Sequence, residues 1–391
     1  MGTPVERRAC IVGIGETEYR RWGGITDQNE YQLACRAIMQ AARDAGLSWK
    51  AIDGFSCFSD TAIDASMLQL GLGIPRLNFS ASVWGGRGGG SCGALALAAS
   101  AVESGQADYV AVFRSLCQGQ SRRYGQFYAQ RLHADMGSPY GLFSAAHGLA
   151  LVAQRYRHEF GFDDDDLATI ATTFRDNAQR NPRAVMYGRP LTREQYFASK
   201  RIADPFRLND CCLETDGACA VIVTTRERAC DLRHAPVEIL AAVQGADPEW
   251  FTGAMGAHNM PGDSYTTGGQ RHVARRVYER AQLGPADISV AQFYDHFSPM
   301  IFLSLEDFGF CERGEGPSFI AAGKAAWPHG ALPLNTHGGS LAEAYVHGMN
   351  HILEGVRQLR GESTSQVAGA RTCLVTGASE ISPTSAAILG V

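Results

Sequence analysis

Tyr31 to Asp60 reads YQLACRAIMQAARDAGLSWKAIDGFSCFSD, and Val273 to Asp295 reads VARRVYERAQLGPADISVAQFYD. Each stretch opens with apolar residues at helical spacing and loses that spacing at a glycine, Gly46 or Gly284. Each then passes an isoleucine–aspartate pair, Ile52-Asp53 or Asp287-Ile288, and enters an apolar strand ending at Asp60 or Asp295. The next elements correspond too. Gly88-Gly89-Gly90 opens an Ala-rich helix through Ala101, Gly105 stops it, and a strand runs from Tyr109 to Phe113. Gly338-Gly339 opens a helix through Leu359, Gly361 stops it, and a strand runs from Thr372 to Thr376. The same order at both ends of a chain marks a duplicated unit. Strands and helices alternate, so the expected class is α/β with largely parallel sheets, divided into halves at 1–235 and 236–391.

One stretch has no counterpart in the second half. Gln118 to Tyr140 is polar, aromatic and Arg-rich, and helical patterns follow at Ala145 to Phe160 and Leu167 to Asn181. We read about 118–205 as an inserted lobe, and long insertions on a rigid scaffold tend to shape a binding site. The first half resumes as a strand at Asp216 to Val221. The acidic run Asp163 to Asp166 precedes a helix, where carboxylates favour the N-terminus, so it is read as capping and not as a metal site.

Bulk properties narrow the function classes. The 391 residues are 45% hydrophobic with a net charge of -5 spread along the chain, which gives no reason to expect a nucleic-acid or anionic-membrane partner. No apolar run reaches the length of a membrane span, and a strand-like segment from Ala9 to Gly13 leaves no room for a signal peptide. The eleven cysteines lack zinc-type spacing, and Cys10, Cys57, Cys219 and Cys373 fall in apolar strand-like segments. A cytoplasmic protein with reduced thiols and no metal is expected. The loop Gly85 to Gly90 does not follow the first strand, as a dinucleotide fingerprint must. It is better suited to presenting backbone N–H groups at a helix start, an oxyanion or phosphate site.

Four segments then carry a resemblance: Asn177 to Pro182 (NAQRNP), Arg201 to Leu208 (RIADPFRL), Asp210-Cys211-Cys212, and Thr215 to Val223 (TDGACAVIV). Their order and spacing resemble the thiolase superfamily, in particular the sterol carrier protein X type and its lipid-transfer-protein-like relatives. The resemblance covers nearly the whole chain. It implies the thiolase fold, two duplicated βαβαβαββ halves packed as a five-layer αβαβα sandwich with an inserted loop lobe.

The departures from that pattern carry the functional reading. Aligning the nucleophile turn of thiolases on Gly93 places Gly90 where the cysteine should be, with Cys92 displaced along the helix. Tyr294-Asp295-His296-Phe297 stands for a His-Asp-Cys-Phe motif, so Tyr294 replaces a histidine. In Gly338 to Val346 the catalytic histidine becomes Tyr345, and the last catalytic cysteine falls near Thr376. Both histidines have become a group that still moves protons, while Asp295, Gly338 and Gly339 remain. This pattern resembles the side-chain-cleaving aldolases of bacterial steroid catabolism. They split a β-hydroxyacyl-CoA bearing a tertiary alcohol into a ketone and a shorter acyl-CoA, such as propionyl-CoA.

Retro-aldol cleavage needs no nucleophile. It needs a base for the hydroxyl, donors for the thioester oxygen, and an acid for carbon. The expected catalytic pair is Tyr294 and Tyr345, supported by Asp295, His296 and His337, with His347 a further candidate. Backbone N–H groups at Gly90 and Ala378 are the expected oxyanion donors. No covalently bound cofactor is expected, and coenzyme A arrives as part of the substrate. The resemblance also implies a homodimer and a zinc-ribbon/OB-fold partner subunit, together a heterotetramer. Three other readings stay open: a non-catalytic acyl-CoA or lipid carrier, a thiolase-like acyltransferase using Cys92, and a thiolase-related cleavage that consumes free CoA.

Overall fold

The computed structural model describes residues 8–59, 63–84, 87–120, 138–248 and 265–391. The first half runs β1 (Ala9–Glu16), α1 (Glu30–Ala45), β2 (Gly54–Phe58), α2 (Ala65–Leu72), β3 (Phe79–Val83), α3 (Ser91–Glu103) and β4 (Val110–Cys117). Helices α4 (Ala145–Phe160) and α5 (Asp164–Arg180) intervene before β5 (Thr215–Thr225). The second half runs β6 (Val237–Gly245), α6 (Arg271–Ala281), β7 (Val290–Gln292), α7 (Gly339–Ala342), α8 (Met349–Arg360), β8 (Thr372–Thr376) and β9 (Thr384–Gly390).

Local chemistry fixes the helix ends. Asn29 and Gln32 form a capping box at the start of α1, and Gly46 ends it in the left-handed region at φ 73°. Asp163 caps α5 with Asp166 returning the bond, so the acidic run does serve a helix start, and the helix begins at Asp164. Of the Gln118 to Tyr140 stretch, residues 121–137 lie outside the described residues, as do Asp60, Gly85 and Gly86.

The strand order is β7-β8-β9-β6-β1-β5-β4-β2-β3, and with the short strand Arg20–Arg21 on β5 the sheet has ten strands. Read outward from the β1/β6 junction, each half shows its first strand, its last, the one before the last and then its second, and the first half adds β3 at its edge. The expectation of largely parallel pairing is corrected. Only β2 with β3 and β4, and β7 with β8, run parallel. The strand that closes each half returns in the opposite direction, pairing antiparallel with both its neighbours. The two halves join where Cys10 and Ile11 of β1 pair with Glu238 and Val237 of β6.

Helix α1 covers the outer face of β1, β4 and β5, and α6 covers β6 and β9, while α3 and α8 touch strands of both halves. The layers therefore run α1, sheet, α3 with α8, sheet, α6. This middle position explains why every residue of β5 and β9 is buried, and every residue of α8 except Arg360. Strands covered on both faces read as continuous apolar runs, as TDGACAVIV does. Among the described residues no helix is long and apolar enough to cross a membrane.

One element departs from expectation in a way that builds the site. The helix expected from Gly339 to Leu359 is interrupted between Ala342 and Met349. His347 and Gly348 take φ values of 51° and 81°, a left-handed backbone that cannot continue a right-handed helix. Tyr345 lies inside that interruption.

Candidate active site

Tyr294 stands just beyond β7, where side chains take over from the sheet. Asn335 Oδ1 accepts from the Phe293 N–H (2.7 Å), and its Nδ2 donates to the Phe293 carbonyl (2.8 Å). The Tyr294 N–H donates to Oγ1 of Thr376, the last residue of β8 (3.1 Å). Tyr345 is held in a matching way by Thr215, the first residue of β5. Thr215 Oγ1 accepts from the Tyr345 N–H (2.9 Å) and donates to the Tyr345 carbonyl (3.0 Å). Two strand ends thus bring together residues far apart in sequence, and the Tyr294 hydroxyl donates to the Tyr345 hydroxyl over 3.0 Å. Their rings meet edge to face, 6.1 Å between centroids at 75°. Leu116 and Ala378 pack on both rings, with Cys212 and Ile381 beside them.

Two glycines make room for Tyr294. A Cβ on Gly88 would lie 2.0 Å from Tyr294 Oη, and one on Gly348 would lie 2.8 Å from its Cδ2. A Cβ on Gly90 would face Phe58 and Val83, so of the three successive glycines Gly88 is the one opposite the tyrosine. Ala378 is near the pair, but its N–H points to the Gly88 carbonyl (3.3 Å) and is not a free oxyanion donor. Cys92 is fully buried on α3, its Sγ 3.5 Å from the Val375 carbonyl, and burial pushes its thiol up to about 12. A thiol so placed has almost no thiolate at neutral pH and makes a poor nucleophile.

Asp295 points away from the phenols. Its carboxylate accepts from the N–H groups of Ser340 (2.7 Å) and Leu341 (3.2 Å), holding the start of α7. From there a buried polar chain runs between the two tyrosine segments. His351 Nε2 lies 3.2 Å from Ser340 Oγ and 3.4 Å from Asp295 Oδ1, and its Nδ1 lies 3.0 Å from His337 Nε2. His337 Nε2 in turn lies 3.4 Å from Glu343 Oε2. Asn181 (2.7 Å) and Asn350 (2.9 Å) donate to the Glu343 carboxyl. Burial raises the Glu343 carboxyl to about 8, and burial with His351 alongside holds His337 well below the ordinary histidine range.

His347 stacks edge-on against Tyr345 at 5.0 Å, and its Nδ1 accepts from Arg114 Nε (3.2 Å). His296 lies against Tyr294, with ring centroids 5.3 Å apart. The structure thus gathers Tyr294, Tyr345, Asp295, His296 and His337 in one site. Thr215, His351 and Glu343 were not singled out from sequence, and Gly88 and Thr376 only as the start of a helix and the place of a lost cysteine. His351, Glu354 and Gln358 recur at helical spacing, a polar stripe that gains its meaning only from the burial of α8.

A thiolase C-terminal domain-like family model matches residues 256–390. The chain is 41% identical to 17-hydroxy-3-oxo-4-pregnene-20-carboxyl-CoA lyase of Mycobacterium tuberculosis, covering 98% of this chain and 99% of the relative. It is 39% identical to a steroid side-chain-cleaving aldolase of Thermomonospora curvata, covering 98% and 97%. Among solved structures, an Ltp2-ChsH2(DUF35) aldolase superposes with a TM-score of 0.91 at 37% identity, covering 100% of this chain and 99% of that one. Near full-length identity and fold agree: the chain belongs to the steroid side-chain-cleaving aldolases of the thiolase superfamily.

Proposed function

We propose that Tyr294 and Tyr345 carry the acid–base steps of a retro-aldol cleavage. The chain is a carbon–carbon lyase acting on an acyl-CoA thioester. The substrate class that the mycobacterial relative's name gives, a 17-hydroxy steroid with a 20-carboxyl-CoA group, is carried over to this chain. One tyrosine, as its phenolate, takes the 17-hydroxyl proton as the C17–C20 bond breaks. The electron pair moves onto the thioester as an enolate, the other tyrosine's phenol protonates C20, and a proton passed between the two hydroxyls restores the first phenolate. The products are a 17-ketone and propionyl-CoA, with no net proton gained or lost. The observation that carries this reading is the 3.0 Å bond between the two hydroxyls. A free phenol titrates near pH 10, and a phenolate on either tyrosine keeps a bond from the other, which favours the charged form.

Asp295 and His337 hold the two tyrosine segments in place through Ser340, His351 and Glu343. Coenzyme A enters with the substrate. The working assembly is a homodimer of this chain joined by a zinc-ribbon/OB-fold subunit in the cytoplasm, and the two components named in the similar solved aldolase, Ltp2 and ChsH2(DUF35), support a second subunit. The two halves divide near residues 235 and 236. The test is substitution of each phenol. Tyr294→Phe and Tyr345→Phe each remove one oxygen, and each should cut kcat by about a hundred- to ten-thousand-fold while leaving the melting temperature within a few degrees. Near-normal turnover in both variants would show the tyrosines to be packing residues.

A further inference from the structure

His296 differs from every other imidazole around the tyrosines. His337 and His351 bond each other, and His347 accepts from Arg114. His296 is only 4% exposed, and neither Nδ1 nor Nε2 makes a hydrogen bond. The Tyr294 main chain lies near enough to act on the ring without completing such a bond. Its ring neighbours are aromatic, Tyr294 at 5.3 Å and 63° and Phe297 at 5.4 Å and 71°. A buried donor left unpaired costs about 1–3 kcal/mol. Such a cost inside a folded site points to a bond made with something that binds there.

The reaction supplies a group in need of that donor. As C17–C20 breaks, negative charge collects on the thioester oxygen. Of the two backbone donors expected from sequence, Ala378 N–H is taken by the Gly88 carbonyl, which leaves at most the Gly90 N–H beside a side-chain donor. The Asp295 carboxylate is committed to Ser340 and Leu341. The structure assigns the vacant role to His296: its ring N–H donates to the substrate's thioester oxygen as that oxygen becomes an enolate, making His296 a catalytic residue. This rests on the retro-aldol reading of Tyr294 and Tyr345.

The electrical state of the ring fits the task. Burial holds His296 down to about 4, so at neutral pH it is uncharged and carries a single N–H. An imidazolium would hand its proton to the enolate oxygen. A neutral imidazole is far too weak an acid for that. It stabilises the anion by a hydrogen bond and leaves protonation of C20 to a tyrosine. The ring is also placed to be felt mainly in the transition state, because the ground-state carbonyl carries much less charge.

The test compares His296→Phe, His296→Leu and His296→Gln in the full chain, purified with any partner subunit that accompanies it, on the 17-hydroxy-20-carboxyl-CoA thioester. The apolar variants should lose kcat by about a hundred- to a thousandfold, as for loss of one oxyanion donor, with KM changed by less than about threefold. Their melting temperatures should equal or exceed that of the unsubstituted protein, since an unpaired buried donor has been removed. His296→Gln, which keeps an N–H donor, should recover at least about tenfold in kcat over His296→Phe. Full kcat in either apolar variant overturns the assignment. So does a loss of kcat that tracks a lower melting temperature and is shared equally by the glutamine variant. Tyr294→Phe and Tyr345→Phe run in the same assay separate the two levels. Inactive tyrosine variants beside a fully active His296→Phe remove only the role of His296, whereas active tyrosine variants remove the retro-aldol reading itself.

Discussion

Gly88 and Tyr294 compete for one volume: the position a Cβ of residue 88 would fill lies 2.0 Å from the Tyr294 hydroxyl oxygen. The phenol can be where it is only because residue 88 has no side chain. Gly88→Ala should therefore force Tyr294 off its bond to Tyr345. A displacement of about 1 Å at reacting groups costs on the order of a hundredfold in rate. Gly348→Ala presses on the same ring from behind and also places a Cβ at φ 81°, so it should lower the melting temperature as well as kcat. Turnover by both variants at the normal rate would mean that the tyrosine positions are not critical.

Cys92→Ala should be nearly silent in the assay. The thiol is buried, bonded to the Val375 carbonyl and raised to about 12. Its loss should cost about 1 kcal/mol of stability, typical of a small apolar deletion. Intact-mass analysis during turnover should find no acylated protein. An inactive but folded Cys92→Ala protein, or a mass increase matching an acyl group, would restore a nucleophilic route.

Stability should depend on pH through Glu343. Its carboxyl sits at about 8 in the folded protein, against 4.5 for the ordinary group. The folded state therefore keeps a proton that the unfolded chain releases. The contribution is fully present below the unfolded value and is lost as pH rises through the folded one. His337, held low, acts oppositely, losing stability as pH falls below the ordinary histidine value. Between about pH 5 and about pH 8 the melting temperature of Glu343→Gln should fall less than that of the unsubstituted protein, by about 2 °C or more. Equal slopes would show that Glu343 is ionised in the folded state.

The partner subunit is open to a direct assay. Purified alone, the chain should be weakly active or poorly soluble, and co-expression with a zinc-ribbon/OB-fold neighbour should restore turnover. Full activity from the chain by itself would discard the two-component assembly and leave the tyrosine chemistry intact.

Much of the architecture is legible in the sequence alone. The duplicated order sets the strand and helix succession, because apolar spacing and glycine stops are local signals. Tyr294 and Tyr345 stand out for the same reason, each inside a recognisable run. Their 3.0 Å contact does not, since it depends on Thr215 and Thr376 at the ends of two different strands. The break around Tyr345 is hidden because Glu343 to Gly348 keeps an acceptable helical composition. Only tertiary bonds, such as those from Thr215, favour the irregular backbone there. The closeness of Gly88 to the phenol is not legible either, because the turn ahead of α3 decides which of the three glycines faces it. His351 looks like an ordinary polar residue until α8 proves to be the middle layer.

That middle layer governs how the protein comes apart. Ile11, Leu95 and Val221 from the first half share one apolar core with Ile352, Val356 and Leu389 from the second. The first half has a core of its own under α1, but the central core belongs to both halves, and neither copy could keep it if the other melted. Heating should therefore produce one cooperative transition, not two, with calorimetric and van't Hoff enthalpies in agreement. A protease that cuts between the halves should release no durable fragment. A substitution that loosens α3 should be felt equally in hydrogen exchange on β4 and on β9, since the same helix packs against both.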